Sequence, residues 1–155
     1  MIMTTRETPN LRRETFALGI SQISAGSRTN PGGYAEDEKF DTAQFQLGDH
    51  RYLDEVIRDV AELGYIPSFC TACYRLGRTG MDFMDLAKPG DIKEHCSPNG
   101  LSTFLEYLED YASPTTREVG ERLIAEKTAA MGPGLKGRTE KMLAKVRAGE
   151  RDVFC

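Results

Sequence analysis

Three cysteines define the chemistry this sequence could carry. Cys70 and Cys73 form a C-x2-C pair, Cys96 follows after twenty-two intervening residues, and a fourth cysteine, Cys155, stands at the last position. Structural zinc takes four N or S ligands in a tetrahedron, so three thiolates need a partner. His50, His95 and Cys155 are the candidates. His95 is the chain neighbour of Cys96, and adjacent side chains on a helix point about 100° apart, which hampers joint chelation. His50 falls in a helix-start segment, and Cys155 lies in a tail of the kind that frays. The spacing also lacks the second C-x2-C or H-x3-H half that makes a zinc pattern strong. A [4Fe-4S] cube has one thiolate-binding iron per corner, so three cysteines hold it and leave the fourth iron open to a ligand from outside the protein. The close pair suits neighbouring corners, and the distant third cysteine arrives from a later helix. A thioredoxin-like dithiol needs its C-x2-C at a helix start within a βαβ context; "YIPSF" offers an extended lead-in, but only helices are expected beyond it. At the level of spacing, the iron-sulfur, zinc and dithiol readings all stand.

A second polar group gathers earlier in the chain. Arg6 follows the first expected strand directly, and Ser24, Ser27 and Arg28 sit at or just past the end of the second. Parallel sheets place ligands at the carboxyl ends of their strands, where the departing loops converge. A guanidinium and hydroxyls at that edge suit a carboxylate, which arginine holds in a two-pronged contact; hydrogen bonds that merely cap the loops would use the same residues.

The elements that must position these groups follow from local pattern. "MIMTT" and "ISQIS" read as short β-strands. Between them Thr8 as N-cap, Pro9 at the first helical position and Gly19 as the stop delimit a helix, giving one βα crossover of the parallel-sheet kind. "AGSRTNPGGYAEDEKFDTAQFQLGD" is a long loop rich in turn residues. A helix follows with Leu53, Val56, Ile57, Val60 and Leu63 on its apolar face and Gly64 ending it. After the cysteine pair, "GMDFMDLAKPG" and "GDIKEHC" read as short helices. Ser97-Pro98 and Ser113-Pro114 each signal the start of a longer one. "GPGLKG" reads as a break before a final basic helix over 138–147, whose charges are expected to be solvated. Tyr107 and Tyr111 fall at helical spacing with Phe104 and Leu108 and look like packing residues.

The totals exclude some classes. The 155 residues, 39% hydrophobic and 28% charged, are globular in character, and no apolar run nears the roughly 20 residues of a spanning helix. A net charge of -4 argues against nucleic acid as a partner. The opening residues carry neither a secretion signal nor a transit peptide pattern, so a reducing cytoplasm, where thiols persist, is the expected compartment.

"TTRETPNLRRETFALGISQISAGSRTNPGGY", "FQLGDHRYLDEVIRDVAELGYIPSFCTACYRLGRTG" and "MDLAKPGDIKEHCSPNGLSTFLEYLEDYASPTTREVGE" together resemble the C-terminal part of the radical SAM tyrosine lyases that mature [FeFe]-hydrogenase, relatives of a thiamine-pathway lyase. The resemblance spans residues 2–124, and C-x2-C-x22-C within "FCTACYRLGRTG" is its most specific element. It implies an α/β fold: the last strand-helix-strand portion of a (β/α)8 TIM barrel with its linker over 1–48, then a mainly α-helical iron-sulfur domain over 49–155. It implies Cys70, Cys73 and Cys96 as ligands of an auxiliary [4Fe-4S] cluster that carries an additional iron, and Arg6 and Ser24 as substrate-carboxylate contacts, with no catalytic residue in this stretch. In the family, tyrosine yields carbon monoxide and cyanide, which are delivered to that iron to make a synthon for the hydrogenase. Tyrosine, iron, the rest of the barrel and other hydrogenase maturation proteins are the implied partners. The C-x3-C-x2-C motif for S-adenosylmethionine and its own [4Fe-4S] cluster does not occur here. Nor does the barrel histidine that reaches the additional iron, so both are expected in a missing part, and the chain alone is expected to be inactive. A non-catalytic metal-binding module, with structural zinc or a carried cluster, is the alternative.

Overall fold

Residues Ile2–Met3 (β1) and Gln22–Ile23 (β2) pair in parallel, Ile2 opposite Gln22 and Met3 opposite Ile23, in a computed structural model that describes residues 2–34 and 43–155. The ladder continues one step, where Ser24 donates its N–H to the Met3 carbonyl at 2.9 Å. Between the strands, Pro9–Phe16 forms α1. Thr8 adopts the extended N-cap conformation with Pro9 behind it, although its hydroxyl makes no capping bond. Gly19, at φ +85°, closes the turn after the helix. The expected strand-helix-strand order is therefore present. The part of the long loop at 35–42, like Met1, lies outside the described residues.

The chain divides into two compact units, Met1–Val56 and Ile57–Cys155, at a point within α2 (Leu53–Glu62). The sequence places its boundary between 48 and 49. Asp49 is drawn into the first unit by its pairing with Arg12, and the Gly48 and Asp49 N–H groups both donate to the Thr5 carbonyl at the end of β1, at 2.9 and 3.0 Å. On α2, Val56, Ile57, Val60 and Ala61 are buried, whereas Leu53 at the first turn is exposed, contrary to its expected place on the apolar face. Gly64 at φ +82° ends the helix as expected, with the Tyr65 N–H reaching back to the Val60 carbonyl.

The second unit is helical: α3 (Ala72–Arg75), α4 (Gly80–Ala87), α5 (Lys93–Asp110), α6 (Pro114–Ala129) and α7 (Pro133–Arg147). Its core runs along α5, whose Leu101, Phe104, Leu105 and Leu108 are all fully buried against α6 and α7; each such side chain contributes about 1.5–3 kcal/mol. Gly120 lets α6 approach, because a Cβ there would lie 2.6 Å from a Leu108 methyl carbon and 3.0 Å from the Phe104 ring. Ser113 caps α6 as its sequence signals, its hydroxyl accepting the Thr116 N–H at 3.4 Å. Tyr111, expected to pack, is exposed beyond the last turn of α5, while Tyr107 is partly buried.

Two helix boundaries differ from the sequence reading. Gly132 and Pro133 serve as N-cap and first turn of α7, so the helix begins before the expected position 138 and takes in the glycines beyond. More consequentially, Ser97-Pro98 does not start a helix: α5 is continuous from Lys93, with Pro98 inside it. Proline lacks the N–H that would bond to the carbonyl four residues back, here that of Glu94, and the Arg138 guanidinium donates to that carbonyl instead. Arg138, expected to be solvated, thus bridges α7 to the gap that Pro98 leaves. Replacing Arg138 with methionine is expected to lower the stability of the second unit by about 1 kcal/mol, read from chemical denaturation.

Candidate metal centre

The continuity of α5 decides where Cys96 stands. It occupies the first turns of a helix whose later turns are the core, so its Cα is anchored by Leu101 and Phe104. Cys96, Gly100, Thr103 and Tyr107 recur at helical spacing and form one stripe. Residues 65–70 run along that stripe. Phe69 stacks on Tyr107 with 5.5 Å between ring centroids, and its N–H donates to the Thr103 hydroxyl at 3.3 Å. A Cβ on Gly100 would touch Ile66 and Ser68 at 3.5 and 3.7 Å. The segment therefore delivers Cys70 beside the turn of α5 that bears Cys96.

The C-x2-C pair is shaped by its own hydrogen bonds. The Cys70 N–H donates to the Ser68 hydroxyl at 3.3 Å, and the Cys70 sulfur accepts the Ala72 N–H at 3.4 Å. Ala72, 2% exposed, pins the single turn α3 from beneath and leaves Cys73 on its flank. Gly77 and Gly80, both at positive φ (+70° and +56°), turn the chain from α3 into α4. The short helix α3 was not foreseen; four residues carry too little periodicity to register.

Cys70, Cys73 and Cys96 line one cavity of about 410 Å³, together with Ser68, Arg78 and Phe83. Partial desolvation raises the Cys96 thiol even though the residue as a whole is exposed, and the neighbouring Cys73, Cys70 and Cys155 push it further; Arg78 opposes them. Such crowding of like charges is relieved by a cationic occupant. Among the described residues, no three His, Cys, Asp or Glu side chains converge closely enough to hold one metal ion. A zinc ion would draw its sulfurs to about 3.8 Å from one another, given Zn–S bonds of about 2.3 Å. A cluster takes one thiolate at each of its irons, and three thiols lining one cavity are the donor type that group needs. His95 lies outside the cavity wall with its Nδ1 buried and unpartnered, and His50 is in the first unit. Cys155 is also not a wall residue; its backbone is fixed to Asn99 by two bonds, N–H to Oδ1 at 2.8 Å and Nδ2–H to its carbonyl at 3.0 Å.

In the first unit, Arg6 is exposed just past β1, its guanidinium 5.0 Å over the Phe45 ring. Ser24 is half-buried at the end of β2, and its carbonyl accepts a bond from Arg12. Neither residue lines the cavity of about 360 Å³ formed there by Arg28, Phe45, Leu47 and His50 with their neighbours. What sequence reasoning missed is the buried cluster beneath them. Arg12, 2% exposed on α1, pairs with Asp49, 1% exposed, which also accepts from Arg51 through Nε at 2.9 Å and Nη2 at 2.8 Å. Gly48 is required beside it, since a Cβ would sit 2.7 Å from the Glu7 carbonyl carbon. Among the described residues, no helix is long and apolar enough to cross a membrane.

The chain is similar to known proteins over part or all of its length. Residues 1–66 match the Biotin and Thiamin Synthesis associated domain. The 2-iminoacetate synthase of Salmonella typhimurium (strain LT2) is 37% identical over 65 residues, 42% of this chain and 17% of that protein. The crystal structure of HydG, a maturase of the [FeFe]-hydrogenase, superposes with a TM-score of 0.90 at 44% identity, over all of this chain and 34% of that one. The chain thus spans about a sixth and about a third of the lengths of these two relatives.

Proposed function

We propose, on the premise that the chain corresponds in sequence and structure to the C-terminal part of HydG, that it is the auxiliary-cluster part of a radical SAM lyase acting on tyrosine. Cys70, Cys73 and Cys96 would hold a [4Fe-4S] cluster. When bound, such a cluster supplies one iron without a protein thiolate, open to a ligand from outside. The additional iron that takes up carbon monoxide and cyanide is cargo, destined for the hydrogenase through its other maturation proteins. β1, α1 and β2 (residues 2–23) would be the end of a TIM barrel whose remainder carries S-adenosylmethionine and its own cluster. Arg6 and Ser24 would lie at the carboxyl edge of those strands, where a guanidinium can grip the carboxylate of tyrosine.

The observation that carries this reading is that Cys70, Cys73 and Cys96 line one cavity. The chain's own residues supply the grip: buried Ala72 holds the turn that bears Cys73, and Cys96 stands on the helix whose later turns form the core. Anaerobic reconstitution with iron and sulfide tests it. Near-equal iron and acid-labile sulfide with a brown chromophore is the expected result, retained in Cys155→Ser, because that thiol stands outside the wall. Tight binding of colourless zinc, lost in Cys155→Ser, would instead establish a four-ligand structural site.

A further inference from the structure

Arg78 lines the thiol cavity, and its backbone N–H donates to the Cys73 carbonyl at 2.8 Å. One end of its guanidinium is engaged, Nη2 donating to the Cys155 carbonyl at 3.0 Å. Its Nε is buried and has no partner. A guanidinium N–H out of water and unpaired costs free energy unless something in the cavity accepts from it. The cavity that Arg78 lines is the one lined by Cys70, Cys73 and Cys96.

The tail is built to hold this arrangement. Arg75, on the same short helix as Cys73, pairs with Asp152 at 2.6 Å and lies 4.6 Å over the Phe154 ring. Along α5, Ser102 donates to the Val153 carbonyl at 2.7 Å, Glu106 accepts the Val153 N–H at 3.1 Å, and Asn99 brackets Cys155. Residues 152–155 therefore strap α3, which bears one thiol, to α5, which bears another, and the end of the strap is what Arg78 grips.

Resting on the cluster reading above, we propose that Arg78 is a donor reserved for the anionic assembly held by Cys70, Cys73 and Cys96, and that the strap of residues 152–155 positions it. A fixed cation with a directed N–H favours the more negative, reduced state of what it faces. Arg78→Gln should therefore lower the reduction potential of the reconstituted chain, measured by titration with electron paramagnetic resonance detection. Arg78→Lys, which keeps the charge but not the planar fork, should restore only part of the shift. Asn99→Ala, which frees the strap without touching the cavity wall, should move the potential in the same direction by less. An Arg78→Gln chain with full iron and sulfide and an unmoved potential overturns the inference and leaves the cluster reading intact. Should Arg78→Gln fail to load, Asn99→Ala decides alone: a lowered potential supports the strap, an unchanged one overturns it. If the unaltered chain assembles no cluster, the cluster reading falls and the inference falls with it.

Discussion

Changing any one of Cys70, Cys73 or Cys96 to serine is expected to cut the iron and sulfide recovered after anaerobic reconstitution by about tenfold or more, since even outer-shell changes at metal sites cost about 10–100-fold in affinity. The metal-free stability should scarcely move, by about 0.5 kcal/mol at most. Cys96 is exposed and the other two are only partly buried, while the core at Leu101, Phe104, Leu105 and Leu108 is complete without them. The two readouts must separate: a serine variant that lost cluster and fold together would place these residues in the core. One that kept its cluster would show that the ligand set is not these three. Thermal melting of the metal-free proteins and iron analysis of the reconstituted ones make the comparison.

The three thiols come together because three kinds of local structure meet. Cys70 ends an extended segment laid on α5, Cys73 sits on one helical turn pinned by Ala72, and Cys96 rides on the helix that forms the core. Two of these depend on contacts in the polypeptide that exist without metal, the stacking of Phe69 on Tyr107 and the burial of Ala72. The three thiols are thus brought to one cavity by packing within the polypeptide.

Much of this was legible in the chain. The alternation of short apolar runs around Thr8-Pro9 and Gly19 told of strand, helix and parallel strand, and those elements are present. C-x2-C-x22-C announced a set of three sulfurs, and one cavity receives them. What was not legible has a common cause. Pro98 reads as a helix start because the local rule sees only the missing N–H; the remedy, Arg138, is forty residues away in the chain. Leu53 and Tyr111 have the right spacing for packing but fall where their helices begin and end, beyond the facing element. Arg78 stood within the motif but carried no signal of its own, since its role depends on where the tail comes to rest. Asp49 was equally silent, because a lone acid beside an arginine reads as surface.

Asp49 is where the first unit is most vulnerable, and Asp49→Ala is expected to destabilise that unit by about 3–5 kcal/mol, the cost of leaving a buried partner charge uncompensated. Arg12 would keep its carbonyl bond to Ser24 but lose the Asp49 carboxylate, and Arg51 would lose its two side-chain bonds to that carboxylate. Burial of Asp49 opposes its ionisation, but hydrogen bonds from the Arg51 side chain and backbone, with the charges of Arg12 and Arg51, outweigh that and hold its carboxyl below the ordinary value of 3.8. A depressed carboxylate contributes stability that is present above its unfolded value and lost as pH falls through the folded one. The link between β1 and the returning loop is therefore intact near neutrality and loosens below pH 3.8. The amides of Gly48 and Asp49, both bonded to the Thr5 carbonyl, report it directly. Their hydrogen-exchange protection should drop in acid in the unaltered chain, and in Asp49→Ala it should already be low at neutral pH. Protection that is equal in both proteins at neutral pH would mean that the buried ion pair does not close the loop.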